Sequence, residues 1–276
     1  EGIICMQQTF KHWQIAPDTY AIQCPGYLPG PGRLPGWGYV ICYLIVGREK
    51  AILLDTGYGN ADLKAEVESL TDKPVLCLNS HVHPDHSGGN QQFGTVYILE
   101  GERETIAPMY FPQPPERERC DMVKALPDYR FAFLQEGSVL DLGGRSVEVL
   151  RLEGHTPGSM VLIDSQTRFL FSGDAILKRV LLMAGQPLSQ YRAALERTKA
   201  HGGFVDIYGA HWYEPLGADY IDKVLALIDD FSPDRCESAP WMEANNMMMF
   251  CHGNAFEEKD FAAIGFGEKD MALMLR

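Results

Sequence analysis

Residues 79–89 read NSHVHPDHSGG and follow directly on the apolar run VLCL. Three histidines and one aspartate within six positions, at the end of a strand-like run, restrict the fold more than any other feature of the chain. Side chains of an extended segment alternate between two faces, so His81 and His83 point the same way. The turn at Pro84 then swings Asp85 and His86 toward a neighbouring point. A lone histidine is usually a core or surface residue. Four potential ligands this close together are the chemistry of a site for zinc, iron or manganese.

Three further positions repeat the theme. His155 sits in GHTPGS, Asp174 in FSGD and His211 in GAHW, each in a glycine-bearing turn after an apolar, strand-like run. Turns of that kind collect on one rim of a sheet, where functional side chains concentrate. Each is a weak signal alone. Together they bring the potential ligands to seven, enough for two metals with open coordination positions.

The pattern around these turns is α/β. The runs 39–46 and 51–55 read as a hairpin about the polar turn 47–50, and 75–79, 96–99, 146–152, 160–164, 169–172 and 205–208 read as strands. Residues 61–69, 189–200 and 218–231 read as helices, with Ser189 as an N-cap and 201–203 (HGG) as a stop. Residues 100–135, broken by five prolines, read as irregular or helical, and 247–251 with 261–266 as a C-terminal hairpin. Strands and helices thus alternate in two blocks, roughly 1–140 and 141–276, expected to form one domain over residues 1–276. The stretch 25–38, PGYLPGPGRLPGWG, reads as a surface loop, or as a loop over a site with Tyr27, Leu28, Leu34 and Trp37 facing a substrate.

Composition sets the outer limits. With 24 Lys+Arg against 37 Asp+Glu, the formal charge of −13 argues against a nucleic-acid partner, which needs a basic face. No apolar run approaches the roughly 18 residues of a membrane span, so no membrane partner is expected. The seven scattered cysteines contain no CxxC pair, and no basic-then-apolar leader precedes them, so a reducing, cytoplasmic setting is the expectation. Nothing in the sequence sets an oligomeric state.

On these residues the chain resembles the metallo-β-lactamase superfamily, the αββα di-metal hydrolases. The matches run in family order: LDTG at 54–57, HxHxDH at 81–86, GHTPGS at 154–159, SGD at 172–174 and GAH at 209–211. The resemblance implies a four-layer αββα sandwich. It implies that His81, His83 and His155 bind one metal, that Asp85, His86 and His211 bind a second, and that Asp174 bridges them. Asp55 would support the site without ligating. Two divalent ions, zinc by expectation with iron or manganese as alternatives, would bring the water between them to a pKa near neutrality. That metal-bridging hydroxide would attack an ester, thioester, lactone or related acyl bond of a small molecule, with Asp85 as ligand and as its orienter.

Details sort the branches. The carboxylate at 174 resembles the glyoxalase II and lactonase branches rather than the antibiotic-hydrolysing enzymes, which lack it. His83 stands where flavodiiron proteins carry Glu. Leu177 stands where acyl-homoserine lactonases carry Tyr. The tail beyond 212 is short and locally acidic, unlike the basic helical domain of glyoxalase II. The alternative on the same scaffold is an iron oxidoreductase of persulfide dioxygenase or flavodiiron type. Tyr58, Lys178 and Tyr213 follow ligand-bearing turns and are the candidate substrate contacts.

Overall fold

The computed structural model describes residues 9–25, 39–110, 129–238, 247–253 and 259–276. Seven strands form the first sheet in sequence order: β1 (Lys11–Ala16), β2 (Thr19–Cys24), β3 (Val40–Val46), β4 (Ala51–Leu54), β5 (Val75–Leu78), β6 (Thr95–Leu99) and β7 (Arg130–Leu134). Pairing is antiparallel as far as β4 and parallel from β4 to β7. A parallel step needs a crossover. Between β4 and β5 it is made by helix α1 (Leu63–Leu70), whose N-cap Asp62 accepts a hydrogen bond from Ala65 N–H. A one-turn helix, α2 (Pro84–Ser87), follows β5, and α3 (Arg103–Tyr110) follows β6.

A second sheet of five strands runs β13-β11-β10-β9-β8, from β8 (Val139–Asp141), β9 (Ser146–Arg151), β10 (Met160–Asp164), β11 (Phe169–Gly173) and β13 (Asp206–Gly209). The parallel pair β11 and β13 is joined through helix α4 (Leu188–His201), and α5 (Tyr220–Asp229) follows.

The near-continuous apolar runs of β3 and β4 make sense because both faces of their sheet are covered. Ile41, Tyr43, Ile45, Ile52 and Leu54 face inward against Val147, Val149, Met160, Leu162 and Phe171 of the second sheet. Val40, Cys42, Leu44, Ala51 and Leu53 face outward against Leu63 and Val67 of α1. The outer face of the second sheet does the same with α4 and α5, through Leu188, Tyr191, Leu195, Ile221, Val224 and Leu227. The result is the expected αββα sandwich, and each fully buried Val, Leu or Ile contributes about 1.5–3 kcal/mol.

At one end the two sheets are clasped by an ion pair. Arg145, just before β9, donates to both oxygens of Asp164 (2.7 and 2.8 Å), to the Thr19 hydroxyl (2.7 Å) and to the carbonyls of Asp18 and Val46 (2.9 and 3.0 Å). Both charged side chains are buried.

Several elements depart from the sequence reading. Residues 130–134, expected to be irregular or helical, form β7, because pairing along the free edge of β6 decides their state and the prolines lie upstream. The β1–β2 hairpin was not anticipated: an edge pair with one solvated face gives only a short alternating signal. Ser189 is not an N-cap; α4 begins at Leu188 after Pro187, since burial of Leu188 draws it into the helix. The C-terminal hairpin forms as β15 (Met247–His252) and β16 (Ala262–Gly267). It does not stand alone, because β16 also pairs in parallel with β12 (Arg179–Leu182). With β14 (Glu237–Ser238) these make a third, four-stranded sheet, and a single turn, α6 (Met271–Met274), closes the chain. Residues 26–38, the Pro/Gly-rich stretch, lie outside the described residues.

Candidate metal centre

The carboxyl ends of β4, β5, β9, β11 and β13 share one rim, at the end of the sandwich opposite the Arg145 clasp. Ligands in open α/β sheets collect outside the carboxyl ends of strands. Two backbone bonds lock the sheets together there, Met160 N–H to Ser80 C=O (2.7 Å) and Ile41 N–H to Ala210 C=O (2.8 Å). Pro84 starts α2, since proline suits the first helical position. That turn places Asp85 and His86 beside the strand-end residues His81 and His83.

Three ring nitrogens converge. His81 Nε2 lies 2.9 Å from His83 Nδ1, and His155 Nε2 lies 3.1 and 2.9 Å from those two atoms. A second group faces it. His86 Nε2 lies 3.7 Å from Asp85 and 3.4 Å from Asp174 Oδ1, and His211 Nε2 lies 3.5 Å from Asp85 and 3.3 Å from Asp174 Oδ2. Asp174 Oδ2 is also 3.6 Å from His155 Nε2, so this one carboxylate touches both groups.

The partners on the far side of each ring fix where the lone pairs point. Ser80 spends its N–H and hydroxyl on Asp55 (2.7 and 2.8 Å), so its oxygen accepts from His81 Nδ1–H at 3.0 Å. His155 Nδ1–H donates to Leu181 C=O (2.6 Å), His86 Nδ1–H to Asp55 Oδ2 (2.8 Å) and His211 Nδ1–H to Tyr39 C=O (2.8 Å). Each ring therefore turns its Nε2 inward, bare on His81 and His155, where burial disfavours a proton. Two such lone pairs, on His81 and His155, face each other at 3.1 Å. His86 Nε2 and Asp174 Oδ1 are buried without a hydrogen-bond partner. A cation would settle such an arrangement, and imidazole with carboxylate is the donor set that divalent zinc, iron or manganese takes.

Titration follows the same division. Burial and then the neighbouring His155 depress the His83 pKa to about 3, and burial with His86 and His83 holds His81 well below the usual imidazole range. Burial also opposes charge on His86 and His211. There Asp174 and Asp85 override it, raising His86 and pushing His211 up to about 10. One group rejects protons and the other holds them in place of a stronger cation.

Asp55 is buried in the left-handed region at φ +68°, a conformation that costs a non-glycine residue about 1–3 kcal/mol. Its three accepted bonds, from Ser80 and His86, hold it there. Asp55→Asn turns an amide N–H2 toward one of those donors. The expected result is a fall of about 10–100-fold in metal affinity with the chain still folded, read by chelator competition. Unchanged affinity would show that Asp55 serves the turn alone.

The candidate substrate contacts are scattered around the rim. Lys178 is buried, with its ammonium 4.0 Å above the Trp212 ring. Tyr213 is 43% exposed and stacks on Tyr39 at 4.6 Å, beside the carbonyl that holds His211. Tyr58 is half-buried, and its backbone is so near Gly88 that a Cβ there would lie 2.4 Å from it. The other histidines stand apart from the site, His12 on Glu66, His201 on Glu148 and His252 on Asp230. Sequence reading missed Ser80, Glu102 and the carbonyls of Tyr39 and Leu181. A carbonyl carries no residue signature, and Ser80 had only its position before His81 to mark it.

An αββα sandwich with histidines and carboxylates converging on one rim defines a class of metal-site proteins, and comparison with known proteins places the chain within it. A family profile described as the metallo-beta-lactamase superfamily matches residues 35–217. The chain belongs to the metallo-beta-lactamase superfamily. It is 29% identical over 220 residues to the human protein named acyl-coenzyme A thioesterase MBLAC2, covering 66% of this chain and 78% of that one. It is 31% identical over 166 residues to the hydroxyacylglutathione hydrolase GloC of Haemophilus influenzae, covering 57% and 77%. Among solved structures, a metallo-beta-lactamase from Pontibacter korlensis matches with a TM-score of 0.59 at 21% identity, over 81% of this chain and all of that one (100%).

Proposed function

We propose that this chain is a di-metal hydrolase of small-molecule acyl thioesters. The observation that carries the reading is the set of inward-facing imidazole nitrogens with the orphaned Asp174 Oδ1, arranged as two groups that share Asp174. The thioester comes from the relatives, whose names specify acyl-coenzyme A and hydroxyacylglutathione as substrates.

In this reading His81, His83 and His155 hold one ion, Asp85, His86 and His211 hold the other, and Asp174 contacts both. When bound, two divalent ions supply a water of near-neutral pKa and polarise the acyl carbonyl. The remaining work falls to the chain. Ser80 and Leu181 fix the tautomers of His81 and His155, and Asp55 and Tyr39 aim His86 and His211, before any ion arrives. Asp85, with its side chain 24% exposed, and His211, 19% exposed, border the open side from which substrate enters, while His81, His86 and His155 close the back. Asp85 is the carboxylate placed to orient the attacking water. Among the described residues, the Cys42 and Cys77 thiols are buried in the sheet and pushed up by that burial, so neither competes for the role. No helix among the described residues is long and apolar enough to cross a membrane.

The test pairs elemental analysis of protein never exposed to chelator with turnover of acyl-coenzyme A, acylglutathione, lactone, phosphodiester and β-lactam substrates. About two transition-metal ions per chain, zinc foremost, are expected, with thioesters turned over fastest. Protein without bound transition metal would sink the proposal. Iron with oxygen consumption and no acyl hydrolysis would replace it by the oxidoreductase alternative.

A further inference from the structure

Glu102 ends the 3₁₀ turn Glu100–Glu102 between β6 and α3, and its side chain is fully shielded from solvent. It makes no hydrogen bond to a candidate ligand. Instead its Oε2 accepts from Val82 N–H at 3.2 Å, and its Oε1 accepts from the Thr156 hydroxyl at 2.5 Å and from Gly158 N–H at 2.8 Å. Val82 lies between His81 and His83, and Thr156 directly follows His155. One carboxylate thus ties together the two loops that supply the three converging nitrogens, loops 74 residues apart in the chain.

The fit around this tie is close. A Cβ on Gly158 would lie 2.3 Å from Glu102 N, and one on Gly101 would lie 2.9 Å from Gly158 Cα, so the two backbones meet where only glycine fits. From the other side Arg151 donates twice to Pro157 C=O, at 3.0 and 2.6 Å. All three groups facing Glu102 are donors, so the position calls for an acceptor-only side chain. Glutamate supplies one, and glutamine would set its N–H2 against a donor.

We infer that Glu102 is a positioning residue for the His81–His83–His155 face, holding the two loops in register so that their nitrogens converge ahead of the cation. The inference rests on the metal-site reading above. It separates the two ions, because Glu102 braces loops of the three-histidine group and makes no hydrogen bond to Asp85, His86 or His211.

The experiment is stepwise removal of metal from the holoprotein by graded chelator, with metal per chain measured at each step, alongside melting of the metal-free forms. For Glu102→Gln, one of the two ions should leave at about 10–100-fold lower chelator than in the parent, while the other is retained. Thr156→Val, which removes one of the three bonds, should shift the same ion by less, and it carries the test if Glu102→Gln fails to fold. Parent-like release of both ions would overturn the inference. So would equal weakening of both ions alongside a lower metal-free melting temperature, since that is loss of fold rather than of positioning. A parent chain that binds no metal would overturn the site reading itself, and this inference with it.

Discussion

Asp174→Asn is expected to leave a folded protein whose turnover falls by more than about 100-fold and whose metal content drops from two ions per chain toward one. The figure has a physical floor. Loss of a partner behind a ligand costs about 10–100-fold in affinity or activity, and Asp174 stands in front, with oxygens 3.4 Å from His86, 3.3 Å from His211 and 3.6 Å from His155. Its carboxyl is held well below the usual range; burial opposes that, and His211 and His86 outweigh it. An amide removes the charge and sets an N–H2 against one of the two groups. In the metal-free chain Asp174 faces His86 and His211, and a carboxyl held below its ordinary pKa stabilises the fold at neutral pH. The metal-free variant should therefore melt somewhat below the parent at neutral pH, because His86 and His211 lose the carboxylate that offsets their charge. Full turnover with two ions per chain would remove Asp174 from the centre of the mechanism.

The seven ligand candidates were legible because each is a titratable residue at the end of an apolar run, and strand ends of one sandwich share a rim. Their grouping into three nitrogens and a mixed set came through the family resemblance; geometry then showed which atoms meet. The supports were less visible for definite reasons. Leu181 contributes a backbone carbonyl to His155, and a backbone group has no composition to read. Its strand, β12, is held in place by β16, more than 80 residues later, through a parallel register of Leu181 with Gly265. Nothing local in RVLL announces that pairing. Glu102 lay in a proline-broken stretch read as irregular or helical, and its role depends on where Val82, Thr156 and Gly158 meet in space.

Strand prediction failed in a related way. β3, β4 and β10 are buried on both faces and announce themselves as apolar runs. The edge strands β1, β7 and β8 carry exposed or half-exposed residues at nearly every position, and their strand state is set by the neighbour they pair with.

Arg145→Met should cost about 3–5 kcal/mol, the usual penalty for leaving one member of a buried ion pair without its partner. For a chain of this size that lowers the melting temperature by on the order of 10 °C. Five hydrogen bonds end on the Arg145 guanidinium, from elements of both sheets, and Asp164 would remain buried with only Thr167 to satisfy it. The pH dependence gives a second signature. In the parent, burial opposes ionisation of Asp164, but Arg145 and Thr167 hold its pKa below the ordinary value. A depressed carboxylate stabilises the fold above its unfolded pKa, and that contribution is lost only as pH falls through the folded value. The parent therefore keeps the benefit of the clasp until pH drops below the ordinary aspartate range, near 3.9. In Arg145→Met the buried carboxyl has lost its cation and its pKa rises, so the folded variant favours the protonated form. The stability gap between variant and parent should then be widest at neutral pH and narrow as pH is lowered toward about 4. Arg145→Met combined with Asp164→Leu should recover most of the loss, because an apolar pair leaves no charge buried. Metal content and turnover should hold through both variants at temperatures where they are folded, since the clasp lies at the end of the sandwich away from the ligands. A gap that stays constant from pH 8 to pH 4, or a double variant no more stable than the single one, would show that Arg145 acts through its bonds to Asp18, Thr19 and Val46 rather than through its charge.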